Sequence, residues 1–148
     1  EGGKLLLYGD TGTGKTFLSN CIAKALLDRC FSVIYFTSFE LFDIFEKNVF
    51  DRDQDVSEIH HHIFDCDLLI IDDLGTELSN SFTVSRLFLC INERLLRGKS
   101  TVISANRSMK QLAEPSSERA FSRISSNYTL LKFFGDDIRI KKKVSVNH

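Results

Sequence analysis

Short apolar runs recur along the chain and predict buried β-strands. The clearest run covers residues 68–71, Leu-Leu-Ile-Ile, because a strand covered on both faces of a parallel sheet is continuously apolar. Residues 32–36 are rich in residue types that favour strands. The pattern predicts strands over residues 5–8, 32–36, 68–71, 101–104 and 128–133, with an edge strand over 138–140.

Between these runs, apolar side chains return every three or four positions, which is typical of amphipathic helices. The longest such series extends from Val84 to Leu95, and Gly98 can end the helix that carries it. Ser38 can cap the start of another helix. The pattern predicts helices over residues 15–29, 38 to about 49, roughly 56–64, 80 or 81 to 97, 109 to about 114, and 115–125.

The predicted strands and helices alternate along the chain. Such alternation predicts an α/β fold, in which a parallel sheet carries helices on both faces. Ligands of these folds bind at the carboxyl ends of the strands. We therefore expect the functional residues to follow the predicted strands directly.

The turn after the first predicted strand fits the pattern G-x-x-x-x-G-K-[ST] without a gap. The strand before it and the helix after it are the context that distinguishes a phosphate-binding loop from a chance glycine-rich turn. Backbone N–H groups at the start of the helix bind anions, and glycines let the chain curl around phosphate where a Cβ would collide. The lysine places its charge on the β- and γ-phosphates. The predicted nucleotide-binding residues are Gly9, Asp10, Thr11, Gly12, Thr13, Gly14, Lys15 and Thr16.

The apolar run at 68–71 ends in two acids, Asp72 and Asp73. Four apolar residues followed by a carboxylate form a Walker B pattern, and we expect the first acid to lie across from Thr16. Thr16 and Asp72 are predicted to hold Mg²⁺, directly or through water, because this hard cation prefers oxygen ligands. Asp73 or the nearby Glu77 is predicted to polarise the attacking water. The predicted cofactors are therefore ATP or ADP, and Mg²⁺.

Polar residues after the fourth strand offer further candidates. Asn106 could orient water against the γ-phosphate, although asparagine is also a common turn residue. Arg119 and Arg123 lie four positions apart and share one face of a predicted helix. Two such arginines are either solvent-exposed charges or part of a site.

Composition changes this picture little. The chain has 148 residues, 43% of them hydrophobic and 26% charged, which suits one domain with a real core. A net charge of −1 argues against a nucleic-acid-binding surface over the whole domain, while a local one stays open. The four cysteines contain no C-x-x-C pair and predict reduced core thiols in a cytoplasmic protein. No long apolar run is present, so we expect no membrane role.

The ends of the chain suggest a module of a longer protein. The first residue is Glu1 rather than methionine, and we expect an ATPase core over residues 1–140. Lys141–Lys143 opens a basic tail over residues 141–148, which we expect to be disordered. The consecutive histidines at 60–62 point in different directions on a helix, so we expect no metal there.

Taken in order, the motifs resemble the AAA+ ATPases of the DnaC/IstB group, which comprises bacterial helicase loaders and transposition helper ATPases. The resemblance spans about residues 4–140. The phosphate loop is generic, whereas the S-R-I helix followed by a G-x-x-x-R ending is more specific to this group. The matching segments are Gly9–Thr16, Leu68–Glu77, Asn106, Glu118–Ile124 and Gly135–Arg139.

This resemblance implies a three-layer P-loop fold of the ASCE class with sheet order 5-1-4-3-2. It implies that Asn106 is sensor 1, Arg123 an arginine finger and Arg139 sensor 2. It also implies a replicative helicase or a transposase as partner, weak ATP-dependent binding of single-stranded DNA, and self-assembly into a filament or ring. Asp73 stands where many AAA+ proteins have glutamate, and its shorter side chain fits slow hydrolysis.

The sequence therefore predicts an ATP-binding, slowly hydrolysing AAA+ domain of a helicase-loader-like DNA replication protein. The alternatives are an IstB-type transposition ATPase, a small-molecule P-loop kinase, and a nucleotide-switched binding module with negligible turnover. A kinase would need an acceptor pocket and an arginine-rich lid, and we see neither pattern. The four phenylalanines of residues 39–50 are expected to pack in the core, although this region contacts DNA and subunits in the resembled family.

Overall fold

The computed structural model describes residues 3–10, 12–50, 54–75, 80–106, 115–133 and 140–142. The strands in this part of the chain are β1 (Lys4–Gly9), β2 (Val33–Thr37), β3 (Leu68–Leu74), β4 (Ser100–Asn106), β5 (Thr129–Phe133) and β6 (Ile140–Lys142). The helices are α1 (Lys15–Asp28), α2 (Ser38–Phe50), α3 (Gln54–Asp65), α4 (Ser81–Leu96) and α5 (Pro115–Asn127).

The strands form one sheet in the order β2-β3-β4-β1-β5-β6. Neighbours from β2 to β5 are parallel, and β6 is antiparallel to β5. The predicted order 5-1-4-3-2 is thereby confirmed. Gly9 at the end of β1 pairs with Asn106 at the end of β4, and β3 lies on the other side of β4. Three strands thus end beside one another, at one edge of the sheet.

The two faces of the sheet carry separate apolar clusters, because alternate side chains of a strand point to opposite faces. Leu7, Ile70 and Val102 belong to one cluster, to which α1 contributes Ala23, Leu18 and Ile22. Leu6, Ile71 and Ile103 belong to the other, to which α2, α3, α4 and α5 all contribute. The sheet is therefore the middle of three layers.

Arg94, a buried cation, stabilises the end of the sheet opposite the predicted site. Arg94 of α4 is 0% exposed, and its guanidinium donates hydrogen bonds to three carbonyls and one hydroxyl. The acceptors are Ile63 O (2.8 Å), Cys66 O (2.9 Å), Ser100 O (2.6 Å) and Thr101 Oγ1 (3.0 Å). Arg94 thus joins the end of α3 to the segments at the starts of β3 and β4.

The phenylalanines of α2 divide between the core and the surface. Phe42 and Phe45 are buried, as core packing predicts, whereas Phe39 is 73% exposed and Phe50 is 72% exposed. The core prediction was therefore wrong for the outer pair, because the inward face of α2 has room for one aromatic stripe. His60 of α3 lies between the rings of Phe45 and Phe64, and burial lowers its pKa.

Other predictions need correction. Lys141 and Lys142 were assigned to a disordered tail, but they pair with Lys132 and Leu131 of β5 and extend the sheet. The prediction of core cysteines holds for Cys66 and Cys90, whereas Cys21 and Cys30 are exposed. The predicted helix over 109–114 and residues 138–139 of the predicted edge strand lie outside the described residues. Among the described helices, none is long and apolar enough to span a membrane.

Candidate nucleotide-binding site

The segment between β1 and α1 turns sharply, and two glycines make the turn. Gly12 has φ 83° and Gly14 has φ 104°, both in the left-handed region that disfavours side chains. Gly14 is also the N-cap of α1 and has no side chain that could cap the helix. The first N–H groups of α1 are therefore available to an anion. Thr11 lies outside the described residues.

Gly12 and Gly9 are required for different reasons. A Cβ on Gly12 would meet no atom of the described residues within 4 Å, so within the protein it is the positive φ that favours glycine there. Crowding is found at Gly9, where a Cβ would lie 2.7 Å from Phe133 O and 3.2 Å from Thr13 Oγ1. Gly9 thus lets the loop pass against the end of β5.

Lys15 is the buried cation of the loop. Its ammonium donates hydrogen bonds of 2.7 Å to Gly9 O and to Asp10 O, and the residue is 5% exposed. Burial lowers the pKa of Lys15, while the charges of Asp73, Asp10 and Asp72 act in the opposite direction. The Thr13 hydroxyl donates to the same Asp10 carbonyl at 2.7 Å. The loop thus holds a positive charge at the start of α1.

Asp72 is the buried acid that faces this loop. Its Oδ2 accepts hydrogen bonds from Thr16 Oγ1 at 3.1 Å and from the Tyr35 hydroxyl at 2.5 Å. Its Oδ1 is buried and has no hydrogen-bond partner within the described part of the chain. A buried carboxylate oxygen without a donor is unfavourable unless a cation or water meets it.

This arrangement fits Mg²⁺. The Thr16 hydroxyl gives its one hydrogen to Asp72 and keeps its oxygen lone pairs for a cation. The unpaired Oδ1 of Asp72 offers the charged oxygen that a hard cation prefers. Thr16 and Asp72, the two predicted metal ligands, are therefore brought into contact.

Asp73 forms hydrogen bonds with other residues than Asp72 does. It has φ 63°, and it lies where the pairing register between β3 and β4 shifts. Asn106 Nδ2 donates a 2.6 Å hydrogen bond to Asp73 Oδ1, and Ser38 Oγ donates to Asp73 O at 3.0 Å. Asp73 and Asn106, both predicted to act on water, are thus joined at the ends of neighbouring strands.

These side chains share one cavity of about 290 Å³. Ser104 also lies on its wall, with a buried hydroxyl that has no hydrogen-bond partner among the described residues. The residues that line the cavity are Gly12, Gly14, Lys15, Thr16, Phe17, Asp72, Asp73, Ser104 and Asn106. Within the described part of the chain, the lining combines phosphate-binding N–H groups, one cation, two acids and an amide, which suits a nucleotide phosphate chain with a cation.

The structure does not bring Arg123 into this cavity. Its guanidinium lies over the ring of Phe88, 3.9 Å from the centroid, beside a second cavity of about 240 Å³ between α4 and α5. An arginine that serves this protein's own nucleotide would have to line the first cavity. Glu77 and Arg139 lie outside the described residues.

Sequence reasoning missed Tyr35, Ser38 and Ser104. Tyr35 was interpreted as a strand former, Ser38 as a helix cap and Ser104 as part of an apolar strand. The signal that could have found Ser104 is a small polar residue in an otherwise apolar run. Burial, followed by the hydrogen bond to Asp72, raises the pKa of Tyr35, which therefore stays protonated and acts as a donor.

Comparisons with known proteins agree on the family. The model of the bacterial DnaA ATPase domain matches residues 3–129. The chromosomal replication initiator protein DnaA of Zymomonas mobilis is 34% identical over 135 residues, which cover 84% of this chain and 27% of that protein. The chain thus spans about a quarter of that relative's length.

Solved structures share the fold. Replication initiator DnaA bound to AMPPCP and single-stranded DNA superposes with a TM-score of 0.72 at 23% identity, covering 90% of this chain and 41% of that chain. The DnaC helicase loader superposes with a TM-score of 0.70 at 28% identity, covering 90% of this chain and 80% of that chain. The predicted DnaC/IstB resemblance therefore holds at the level of the AAA+ group, while the family model that matches is that of DnaA.

Proposed function

This chain belongs to the family of bacterial DnaA ATPase domains, which are AAA+ ATPases of DNA replication proteins, and we propose that it binds ATP with Mg²⁺ and hydrolyses it slowly. The observation that carries this proposal is the contact between the two halves of the site. Thr16 follows the phosphate loop and donates to Asp72, whose other oxygen is buried without a hydrogen-bond partner among the described residues, and Asp72 lines the same cavity as Lys15.

The position of each residue in the cavity indicates whether it binds phosphate or Mg²⁺. Lys15 and the first N–H groups of α1 bind the phosphates, which are the negative part of the substrate. Thr16 and Asp72 hold Mg²⁺, which neutralises charge on the β- and γ-phosphate oxygens when it is bound. Both ligands are fixed by β3 and α1 before the nucleotide arrives, so little reorganisation is needed.

Water activation falls to Asp73 and Asn106. The Asn106 amide donates to one oxygen of Asp73, which leaves the second oxygen of the carboxylate for a water proton. The side chain of aspartate is shorter than that of glutamate, so the attacking water is held less closely and hydrolysis is slow. Glu77 is the alternative base.

The biological role we propose is in chromosomal DNA replication, as an initiator or a helicase loader. The DnaA structure named above contains single-stranded DNA, and the DnaC structure is of a helicase loader. By analogy, we propose that the protein binds single-stranded DNA weakly and only with ATP, and that a replicative helicase is its partner. Such a role implies a cytoplasmic location. A transposase partner and assembly into a filament or ring stay predictions.

Nucleotide binding is tested with Lys15→Ala, and Lys24→Ala is the matched control. Lys24 lies on the same helix but is exposed and paired with Asp28. We expect Lys15→Ala to weaken the binding of a fluorescent ATP analogue at least about tenfold, which corresponds to about 1.4 kcal/mol. Lys24→Ala should bind like the parent protein. Equal affinity in all three proteins would overturn the assignment of the phosphate loop.

Phosphate release with and without single-stranded DNA then separates the remaining functions. Slow release that DNA changes supports a replication ATPase. Undetectable release with intact ATP binding would instead support a nucleotide-switched binding module. Because phosphate contacts displace counterions, DNA binding should weaken as salt is raised.

A further inference from the structure

Tyr35 belongs to neither nucleotide-binding motif, yet its hydroxyl contacts the acid at the centre of the site. We propose that Tyr35 is a positioning residue for the Mg²⁺ site, which by its hydrogen bond to Oδ2 of Asp72 turns Oδ1 of that carboxylate toward the cation. This inference rests on the proposed function, because it concerns the same metal site.

The sheet places Tyr35 where only a long side chain reaches Asp72. In the parallel pair of β2 and β3, Tyr35 is opposite Ile70 and Thr37 is opposite Asp72. Ile70 and Asp72 point to the same face because they are two residues apart. Asp72 is therefore the diagonal neighbour of Tyr35, at a spacing that aromatic side chains can bridge. The tyrosine packs against the same apolar cluster as Leu18 and Ile22 of α1, which restrains its ring.

The carboxylate of Asp72 needs this second donor. The torsion that turns a carboxylate is broad and roughly two-fold, so one hydrogen bond leaves the group free to swing. Thr16 supplies one donor, but its hydroxyl oxygen is also a proposed metal ligand. The Tyr35 hydroxyl is not a proposed ligand, so it can donate to Asp72 without also having to meet the cation.

The buried state of Oδ1 supports this role. With Oδ2 occupied by Thr16 and Tyr35, Oδ1 is the carboxylate oxygen left open among the described residues. Such partners of metal ligands fix the ligand orientation, and their loss typically weakens metal affinity by about 10-fold to 100-fold. A tyrosine hydroxyl keeps its proton at neutral pH, so Tyr35 can act as the donor of this hydrogen bond.

The test is Tyr35→Phe, which removes the hydroxyl and keeps the ring. Tyr128→Phe is the matched control, because it removes the hydroxyl of a buried tyrosine that lines the second cavity beside α5. Binding of a fluorescent ATP analogue is titrated with Mg²⁺ for each protein, and the affinity is also measured in a chelator. We expect the Mg²⁺ concentration that gives half of the gain in nucleotide affinity to be about tenfold higher for Tyr35→Phe than for the parent protein. Without Mg²⁺, Tyr35→Phe should bind the nucleotide as tightly as the parent protein does. Tyr128→Phe should have the same Mg²⁺ requirement as the parent protein.

A cycle with Asp72→Asn tests whether Tyr35 acts through that acid. If it does, Tyr35→Phe should not raise the Mg²⁺ requirement further in an Asp72→Asn background, since contacting residues are not additive. An unchanged Mg²⁺ requirement in Tyr35→Phe, or an equal loss with and without Mg²⁺, would overturn the inference and leave the proposed function intact. If the parent protein binds no nucleotide, the proposed function fails first, and this inference fails with it.

Discussion

Asp72 and Asp73 are adjacent in sequence but have different hydrogen-bond partners, and we propose separate roles for them. Replacing each with asparagine tests this separation. Asparagine keeps the size of both side chains and removes the charge. It is also one of the few non-glycine residues that tolerate the left-handed φ of 63° at Asp73. Neither substitution should therefore disturb the backbone.

The expected loss at Asp72 follows from its two oxygens. In Asp72→Asn, the amide oxygen can take the place of Oδ2 and accept from Thr16 and Tyr35, which puts the NH₂ group in the place of Oδ1. That group turns two hydrogens toward the cation, where a ligand oxygen is needed. We expect Mg²⁺-dependent ATP affinity to fall at least about tenfold, or about 1.4 kcal/mol.

The expected loss at Asp73 lies in turnover. Its carboxylate is exposed and contacts Asn106 rather than Thr16, so Asp73→Asn should leave ATP affinity nearly unchanged. Loss of a general base typically lowers the rate by about 100-fold or more. Equilibrium titration over a Mg²⁺ series measures the first effect, and phosphate release at saturating ATP measures the second. If the two variants behave alike, the division of labour is wrong. If Glu77→Gln slows release while Asp73→Asn does not, Glu77 activates the water.

Three further predictions concern buried or stacked cations. Arg94→Met should lower the free energy of unfolding, measured by denaturant titration, by about 3 kcal/mol or more, because it leaves buried acceptors unpaired. The control is Arg97→Met, which removes an exposed arginine at the end of the same helix and should lower the free energy of unfolding by under about 1 kcal/mol. Because the pKa of Lys15 is lowered, ATP affinity should fall before pH rises to the ordinary lysine value of 10.5, and Asp73→Asn should move that fall to lower pH by removing a charge that raises the pKa. If Arg123 acts on a neighbouring subunit's nucleotide, Arg123→Ala should keep ATP binding and lose phosphate release. The control Arg119→Ala should retain both. Normal phosphate release by Arg123→Ala would mean that Arg123 only stacks on Phe88.

The residues of the site that could be predicted from sequence are those that directly follow a strand. The phosphate loop and the acid after an apolar run are local patterns, and in a parallel sheet the carboxyl ends of strands lie at one edge. Gly9, Asp72 and Asn106 were therefore expected together, and the sheet brings them together. The strand order itself came from resemblance, since periodicity does not specify which strands are neighbours.

The parts that could not be predicted depend on register and burial. Tyr35 fits a strand by residue type alone, and its contact with Asp72 exists because Tyr35 pairs with Ile70 rather than with a neighbouring residue. Arg94 falls within the apolar series of α4, where an arginine would be taken for a solvent charge. Its burial is favourable because carbonyls of α3, of the loop before β3 and of the first residue of β4 accept its hydrogen bonds, and no sequence pattern predicts that these carbonyls come together.

The irregular end of β3 explains how two adjacent acids come to line one cavity. In a regular strand they would point to opposite faces of the sheet, and Asp73 would follow Ile71 into the apolar cluster beneath α2 and α4. Instead, Ile71 pairs with Ile103 and Leu74 with Ala105, so three steps along β3 match two along β4. The left-handed φ of Asp73 accommodates the additional residue. As a result, Leu74 packs in the same cluster as Ile71, and the Asp73 carboxylate lies beside Asn106. A left-handed aspartate costs about 1–2 kcal/mol, and strain of this size persists where the surrounding structure holds it. Here the Ser38 hydroxyl donates to the Asp73 carbonyl and Asn106 donates to its side chain, so the bulge is held in place and brings the proposed metal ligand and the proposed base to one cavity.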